Sequence, residues 1–284
     1  MSNGDSQLQL ASTVTGSGEP VVVIHGFTGS GKMMAPLVDR LDGWRCIAVD
    51  LPGHGRSPSP TDSALYSIEA TAASVAAVAA GTPDGHCHVV GYSMGGRVAL
   101  ALAAASPQVC RSLALISATA GMADEADRSR RREADEALAD RIGQHGLDQF
   151  VEDWMAAPMW DTLRARLRPS EWEASMRQRR GCDPVGLANS LRAGGTGSMT
   201  PLWDRLGALD VPTLLMCGEL DAKFVEIGLR MSELLPKSEL AVMPGVGHAV
   251  HLEAPEGCAD TVADFIRRAP SRGERQRDFG TRRS

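Results

Sequence analysis

A serine hydroxyl is a poor nucleophile and a poor base until an imidazole can take its proton and a carboxylate can orient that imidazole. This 284-residue chain supplies the three groups in the order serine, acid, histidine. Ser93 stands in HVVGYSMGGRVAL between Gly91 and Gly95, Asp221 in CGELDAKF, and His248 in MPGVGHAVHLEAP. The Gly-x-Ser-x-Gly pattern is weak by itself, because glycine and serine are common. Its setting gives it weight. β-favouring residues run into it and an Ala- and Leu-rich helical pattern runs out, which puts the serine on a sharp strand-to-helix turn closed by residues without a Cβ. Two blander readings stay open, since Asp221 could cap a helix beginning near Lys223 and a loop histidine is often simply solvated. Glu219 and His251 compete for the acid and base positions, each on a less usual offset from its strand end.

These groups need a scaffold that brings distant segments to one rim. Short apolar runs at 20–25 (PVVVIH), 45–50 (RCIAVD), 86–91 (HCHVVG), 111–116 (RSLALI), 212–217 (PTLLMC) and 238–243 (SELAVM) read as strands. Helical patterns alternate with them at 32–42, 67–80, 94–105, 223–235 and 255–268. That alternation implies an α/β fold with a mostly parallel sheet covered on both faces, to which Leu8–Thr15 could add an antiparallel edge strand. Ser93, Asp221 and His248 then all follow the carboxyl ends of strands, where open α/β sheets bind ligands. The loop HGFTGSG follows the first run directly. It would aim the Phe27 N–H at the same oxygen as the Met94 N–H, unless it is only a tight Gly-rich turn. DLPGHGRS, Asp50 to Ser57, shapes the same rim, with His54 in a structural role.

Between 121 and 200 the alternation stops, charge rises, and Trp154, Trp160 and Trp172 appear within helical periodicity. The expected organisation is a core over 1–120 and 201–268, a helical cap inserted over 121–200, and a disordered Arg-, Gly- and Ser-rich tail over 269–284. A net charge of -6 with pI near 5.7 offers no nucleic-acid footprint, so any anion site must be built locally against the average charge. MSNGDSQLQL has neither a basic start nor an apolar run, which predicts no secretory signal, no membrane anchor and a cytoplasmic protein. The six cysteines lack metal-ligand spacing and read as small buried thiols, with no metal site.

Taken in order, HGFTGS, DLPGHGRS, GYSMGG, CGELDAKF and GVGHAVHLEAP resemble the α/β-hydrolase-fold proteins. More narrowly, the chain resembles the 2-succinyl-6-hydroxy-2,4-cyclohexadiene-1-carboxylate (SHCHC) synthases of menaquinone biosynthesis. Arg97 in GYSMGGRVAL, the run DRSRRREADEAL, DWMAAPMW, and RRGCDPVGLANSLRAGGTG before PLWDRL carry that likeness, which spans about 20–266. It implies an α/β-hydrolase fold with the triad Ser93, Asp221 and His248, and oxyanion donors at the Phe27 and Met94 amides. It further implies a pocket of Tyr92, Arg97, Arg131, Trp154 and Arg179 for a small polycarboxylate, which guanidinium groups suit through bidentate contacts. Arg128, Arg130 and Arg132 flank Arg131, and without the resemblance that run reads as a solvated helix balanced by Glu133, Asp135 and Glu136. Trp154 could equally be cap core. Arg180 adjoins Arg179 in a segment longer than the family pattern.

The implied reaction is elimination of pyruvate, with Ser93 as general base and neither metal nor organic cofactor; nucleic acid and membrane are not expected partners. Two alternatives remain. A serine hydrolase, acting on esters or carbon–carbon bonds, would use the same fold and triad. A non-catalytic ligand-binding protein could retain the fold without turnover.

Overall fold

The structure is a computed structural model that describes residues 7–269, so the tail expected over 269–284 lies, but for Ala269, outside the described residues. Among the described residues, seven strands form one sheet: β1 (Ser12–Thr15), β2 (Glu19–Ile24), β3 (Trp44–Val49), β4 (Cys87–Tyr92), β5 (Cys110–Ile116), β6 (Thr213–Gly218) and β7 (Ser238–Met243). They lie in the order β1-β3-β2-β4-β5-β6-β7. Strand β1 pairs antiparallel with β3 at one edge, within the early run expected there, and every other pairing is parallel. Parallel pairing needs crossover helices on both faces, so the central strands are buried on both sides. In β2 the consequence is visible residue by residue. Val21 and Val23 pack with Leu37, Val250 and Phe265 on one face, and Val22 and Ile24 with Val75, Leu100 and Leu102 on the other.

Among the described residues, ten α-helices occur in chain order: α1 (Ala35–Val38), α2 (Ile68–Ala80), α3 (Met94–Ala105), α4 (Glu125–Met155), α5 (Asp161–Arg166), α6 (Pro169–Arg180), α7 (Pro184–Gly194), α8 (Ala222–Leu234), α9 (Val250–Glu253) and α10 (Pro255–Arg268). The continuous helix expected over 32–42 is instead a 3-10 turn at Gly31–Met34 followed by the four residues of α1. Pro36 explains the break: it lacks the N–H that would bond the Lys32 carbonyl, and proline is accommodated only in a first turn. None of the described helices is long and apolar enough to cross a membrane.

The chain between β5 and β6 carries α4 to α7 and no strand. Its longest element, α4, is bent at Gly146, whose φ of 82° and ψ of 165° are non-helical. Helix α7 starts on Asp183, whose Oδ1 accepts the Gly186 N–H at 2.7 Å. This start packs backbone against backbone on the DLPGHG loop, so closely that a Cβ on Gly186 would collide with Gly53. The helical segment is thereby docked onto the rim formed by the carboxyl ends of β2 and β3.

Candidate active site

Strands β2, β4 and β5 end in register, with Ile24 beside Gly91 and Tyr92 beside Ile116. Immediately beyond β4 the backbone reverses at Ser93, with φ 51° and ψ −111°, and α3 begins at the next residue. A non-glycine residue in that region costs about 1–3 kcal/mol, which the surroundings must overcome. They do so by clamping the turn: the Ser93 N–H donates to the Ile116 carbonyl at 2.8 Å, and the Arg97 N–H to the Ser93 carbonyl at 3.1 Å. The flanking glycines are required by packing. A Cβ on Gly91 would strike the Gly95 carbonyl, and one on Gly95 would strike the Ile24 and His25 carbonyls.

Asp221 follows β6 and occupies the N-cap of α8, yet its side chain makes no capping bond. Instead its Oδ2 accepts the His248 Nδ1 proton at 2.6 Å. This leaves His248 Nε2 as an acceptor, and the Ser93 hydroxyl donates to it at 3.1 Å. The competing residues are used elsewhere. Glu219 Oε2 accepts the Gly245 N–H at 2.7 Å, and the buried His251 ring lies 4.3 Å from the Tyr92 ring. The His248 loop is held on three sides. Ser117 Oγ donates to the His248 carbonyl at 2.9 Å, while the Glu253 carboxylate accepts the Gly247 N–H at 2.9 Å and the Ala249 N–H at 3.1 Å.

The turn after β2 is fixed by a neutral imidazole. His25 Nδ1 donates to the Gly26 carbonyl at 2.7 Å and its Nε2 accepts the Leu51 N–H at 3.0 Å, so a second ring proton would face a donor. Burial pushes the His25 pKa down to about 4. Burial likewise pushes His54 to about 3, and His54 Nδ1 donates to the Pro52 carbonyl at 2.8 Å, consistent with a structural role. Neither the Phe27 nor the Met94 amide has an acceptor among the described residues. Both residues line the cavity above Ser93.

That cavity has a volume of about 500 Å³, and Tyr92, Ser93, Arg97, Arg131, Trp154 and His248 contribute to its wall. Arg97, one turn along α3 from Ser93, is buried and donates through Nη1 to the Gly194 carbonyl at 2.7 Å. Burial, and secondarily the like charge of Arg131, lower its pKa to about 10, so it remains a cation at neutral pH. Of the arginine run, Arg131 reaches the cavity, with Nε on Asp135 Oδ1 at 2.9 Å. Arg128 and Arg132 pair with Glu125, and Arg130 with Asp127. Arg179 is not among the cavity-lining residues. It lies buried, Nη1 donating to Thr28 Oγ1 at 2.6 Å and its guanidinium 5.2 Å from the Trp160 ring centre, and so braces the loop that carries Phe27. Arg180 turns outward to Glu152 at 2.9 Å.

A profile of the α/β-hydrolase fold matches residues 19–255. The chain belongs to the α/β-hydrolase family. A Bacillus subtilis protein provisionally assigned as an SHCHC synthase is 35% identical over 248 residues, 87% of this chain and 90% of that one. The SHCHC synthase of Serratia proteamaculans is 29% identical over 262 residues, covering 90% of this chain and 98% of the relative. Among solved structures, MenH from S. aureus superposes with a TM-score of 0.85 at 30% identity, covering 90% of this chain and 97% of that one.

Within this α/β-hydrolase the sequence reading passed over several residues of the site. Lys223, Phe224 and Arg230 of α8 line the cavity, and the Phe224 ring lies 4.8 Å from that of His248. Their signal was helical spacing from Asp221, which begins the helix. Asp135, read only as a balancing surface charge, is buried against Arg131, and burial raises its pKa despite that partner.

Proposed function

We propose that this enzyme is an SHCHC synthase, eliminating pyruvate from 2-succinyl-5-enolpyruvyl-6-hydroxy-3-cyclohexene-1-carboxylate, with the helices between β5 and β6 acting as the cap of its site. The observation that carries the reading is Arg97. A guanidinium buried one turn from Ser93, lining the same cavity and paired with no carboxylate among the described residues, suits a substrate that brings its own carboxylates. An esterase for neutral substrates has little use for it. The names borne by the relatives support the same assignment.

In this mechanism His248, held by Asp221, accepts the Ser93 proton, and Ser93 Oγ removes the proton from the ring carbon that bears the succinyl group. Electrons from that C–H bond form a ring double bond, the existing double bond shifts by one position, and the bond from the ring to the enolpyruvyl oxygen breaks. The Phe27 and Met94 amides bind the succinyl carbonyl oxygen as negative charge develops on it. The abstracted proton balances the enolpyruvate that leaves, which becomes pyruvate. Two products form from one substrate without water, oxidant or cofactor.

The test is to supply the enolpyruvyl substrate to the purified protein and follow pyruvate and the conjugated cyclohexadiene together. Equimolar formation of both is expected. Absence of pyruvate release above the uncatalysed rate, alongside rapid cleavage of simple esters, would establish the hydrolase alternative instead.

A further inference from the structure

Helix α8 carries two cations into the cavity that the arginines of α3 and α4 do not account for. Lys223 and Arg230 are separated by two helical turns, and Ile227 between them also lines the cavity, so one face of α8 forms part of its wall. Both are exposed, which places them at the mouth, whereas Arg97 is buried in the interior. Neither donates a hydrogen bond or forms an ion pair among the described residues. Arg230 is nevertheless ordered by packing. Its guanidinium lies 4.0 Å from the centre of the Trp203 ring, and Trp203 is itself fixed by an Nε1–H donated to the Gly121 carbonyl at 2.8 Å. Stacking occupies the flat face of the guanidinium and leaves its N–H edge available to an acceptor. The acids that line the cavity are already engaged: Asp124 caps α4, Asp127 pairs with Arg130, and Asp135 pairs with Arg131.

We infer that Lys223 and Arg230 form a second carboxylate subsite at the mouth of the cavity, separate from the subsite of the buried Arg97 and the half-buried Arg131. The inference rests on the proposed function and deepens it. The proposed substrate has three carboxylates, on the ring, on the succinyl arm and on the enolpyruvyl group. The two guanidiniums of Arg97 and Arg131 do not serve three groups spread around a ring. A cationic mouth holds the outermost one and excludes neutral or singly charged analogues, which cannot span both subsites.

The test compares wild type with Lys223→Met, Arg230→Met and the double variant, which remove charge but keep an apolar stem for packing. The double variant is expected to raise KM for the enolpyruvyl substrate about tenfold or more while kcat stays within about threefold, the pattern of lost ground-state binding. Arg230→Lys should recover part of the loss. In parallel, calorimetry with tricarballylate, a plain tricarboxylate, should give at least about tenfold weaker binding to the double variant, with a flatter dependence on salt. A KM within twofold of wild type, or tricarballylate affinities that are equal or absent in both proteins, overturns the subsite. Failure of the wild type to release pyruvate would remove the synthase reading, and the calorimetric comparison would still decide the subsite.

Discussion

The rim of the sheet and the helical wall facing it solve opposite electrostatic problems. On the rim, three imidazoles that could be charged are kept neutral: His25, His54 and His251 are buried, with pKa values pushed by burial to about 4, 3 and 3. Along the α4 wall, charge is concentrated and held in place by pairs such as Arg131 with Asp135 and Arg192 with Glu136 and Asp140. Arg97 crosses between them, rising from α3 on the rim and anchoring on Gly194 of α7. The difference separates chemistry from selection. A neutral, rigid rim can hold a strained serine beside an imidazole for many reactions, whereas the cationic wall restricts which molecule arrives.

The largest effect that would sharpen this division is on the rim. Ser93→Ala should lower kcat for pyruvate release about 10³-fold, within the range of a lost general base, with KM changed by less than about threefold. A loss below about tenfold would show that the serine is not the base. Arg97→Ala comes next. It removes charge-assisted contacts worth about 1.5–3 kcal/mol, so kcat/KM should fall by about 10²-fold for the polycarboxylate. Intact activity on that substrate in Arg97→Ala would break the assignment of selection to the cationic side.

The two regions should also separate on acidification. The three buried histidines have folded pKa values below the unfolded value of about 6.5, so between pH 6.5 and about 4 the unfolded chain binds more protons. Stability therefore rises with pH across that window and is lost as pH falls through it, by about 1 kcal/mol per histidine at pH 5.5. In the helical segment, at the exposed start of α6, the Arg168 side chain holds Glu171 at about 2, below its ordinary value. Its contribution is present above pH 4.5 and is lost only below that. Urea midpoints measured from pH 7.5 to 5 should fall before the carboxylates titrate. A flat profile down to pH 5 would mean that the histidines charge freely in the folded protein.

The rim was far more legible in the sequence than the wall, for a physical reason. Its signals are local: β-branched runs, a Gly-x-Ser-x-Gly turn, and an acid and a histidine each just after a strand. The elbow needs glycines because backbones touch there, and that requirement is written in the residues themselves. The wall depends on which side of a helix faces inward, and that depends on docking. Arg131 and Arg130 are neighbours of one type, yet only the former reaches the cavity. Arg179 carries a charge suited to substrate but is spent on Thr28, 151 residues away, a contact no local pattern announces. Nothing local in the sequence marks Lys223 and Arg230 as facing the cavity; that follows from α8 lying beside His248.

The smallest predicted effect tests whether the rim's acid has been identified correctly. Glu219 lies two residues before Asp221 and reaches the same loop as His248, but it accepts the Gly245 N–H on the exposed side of the turn. Glu219→Gln keeps an acceptor at that amide and removes only a solvated charge. It should change kcat by less than about twofold and stability by no more than about 0.5 kcal/mol, as for a surface substitution outside any special feature. Asp221→Asn, by contrast, replaces the acceptor for the His248 Nδ1 proton with an amide that can favour the wrong tautomer, and should be strongly impaired. A tenfold loss in Glu219→Gln with Asp221→Asn left active would exchange their roles. The imidazole would then be oriented from the solvent side of its loop, and the neutral, enclosed rim would no longer be the seat of the chemistry.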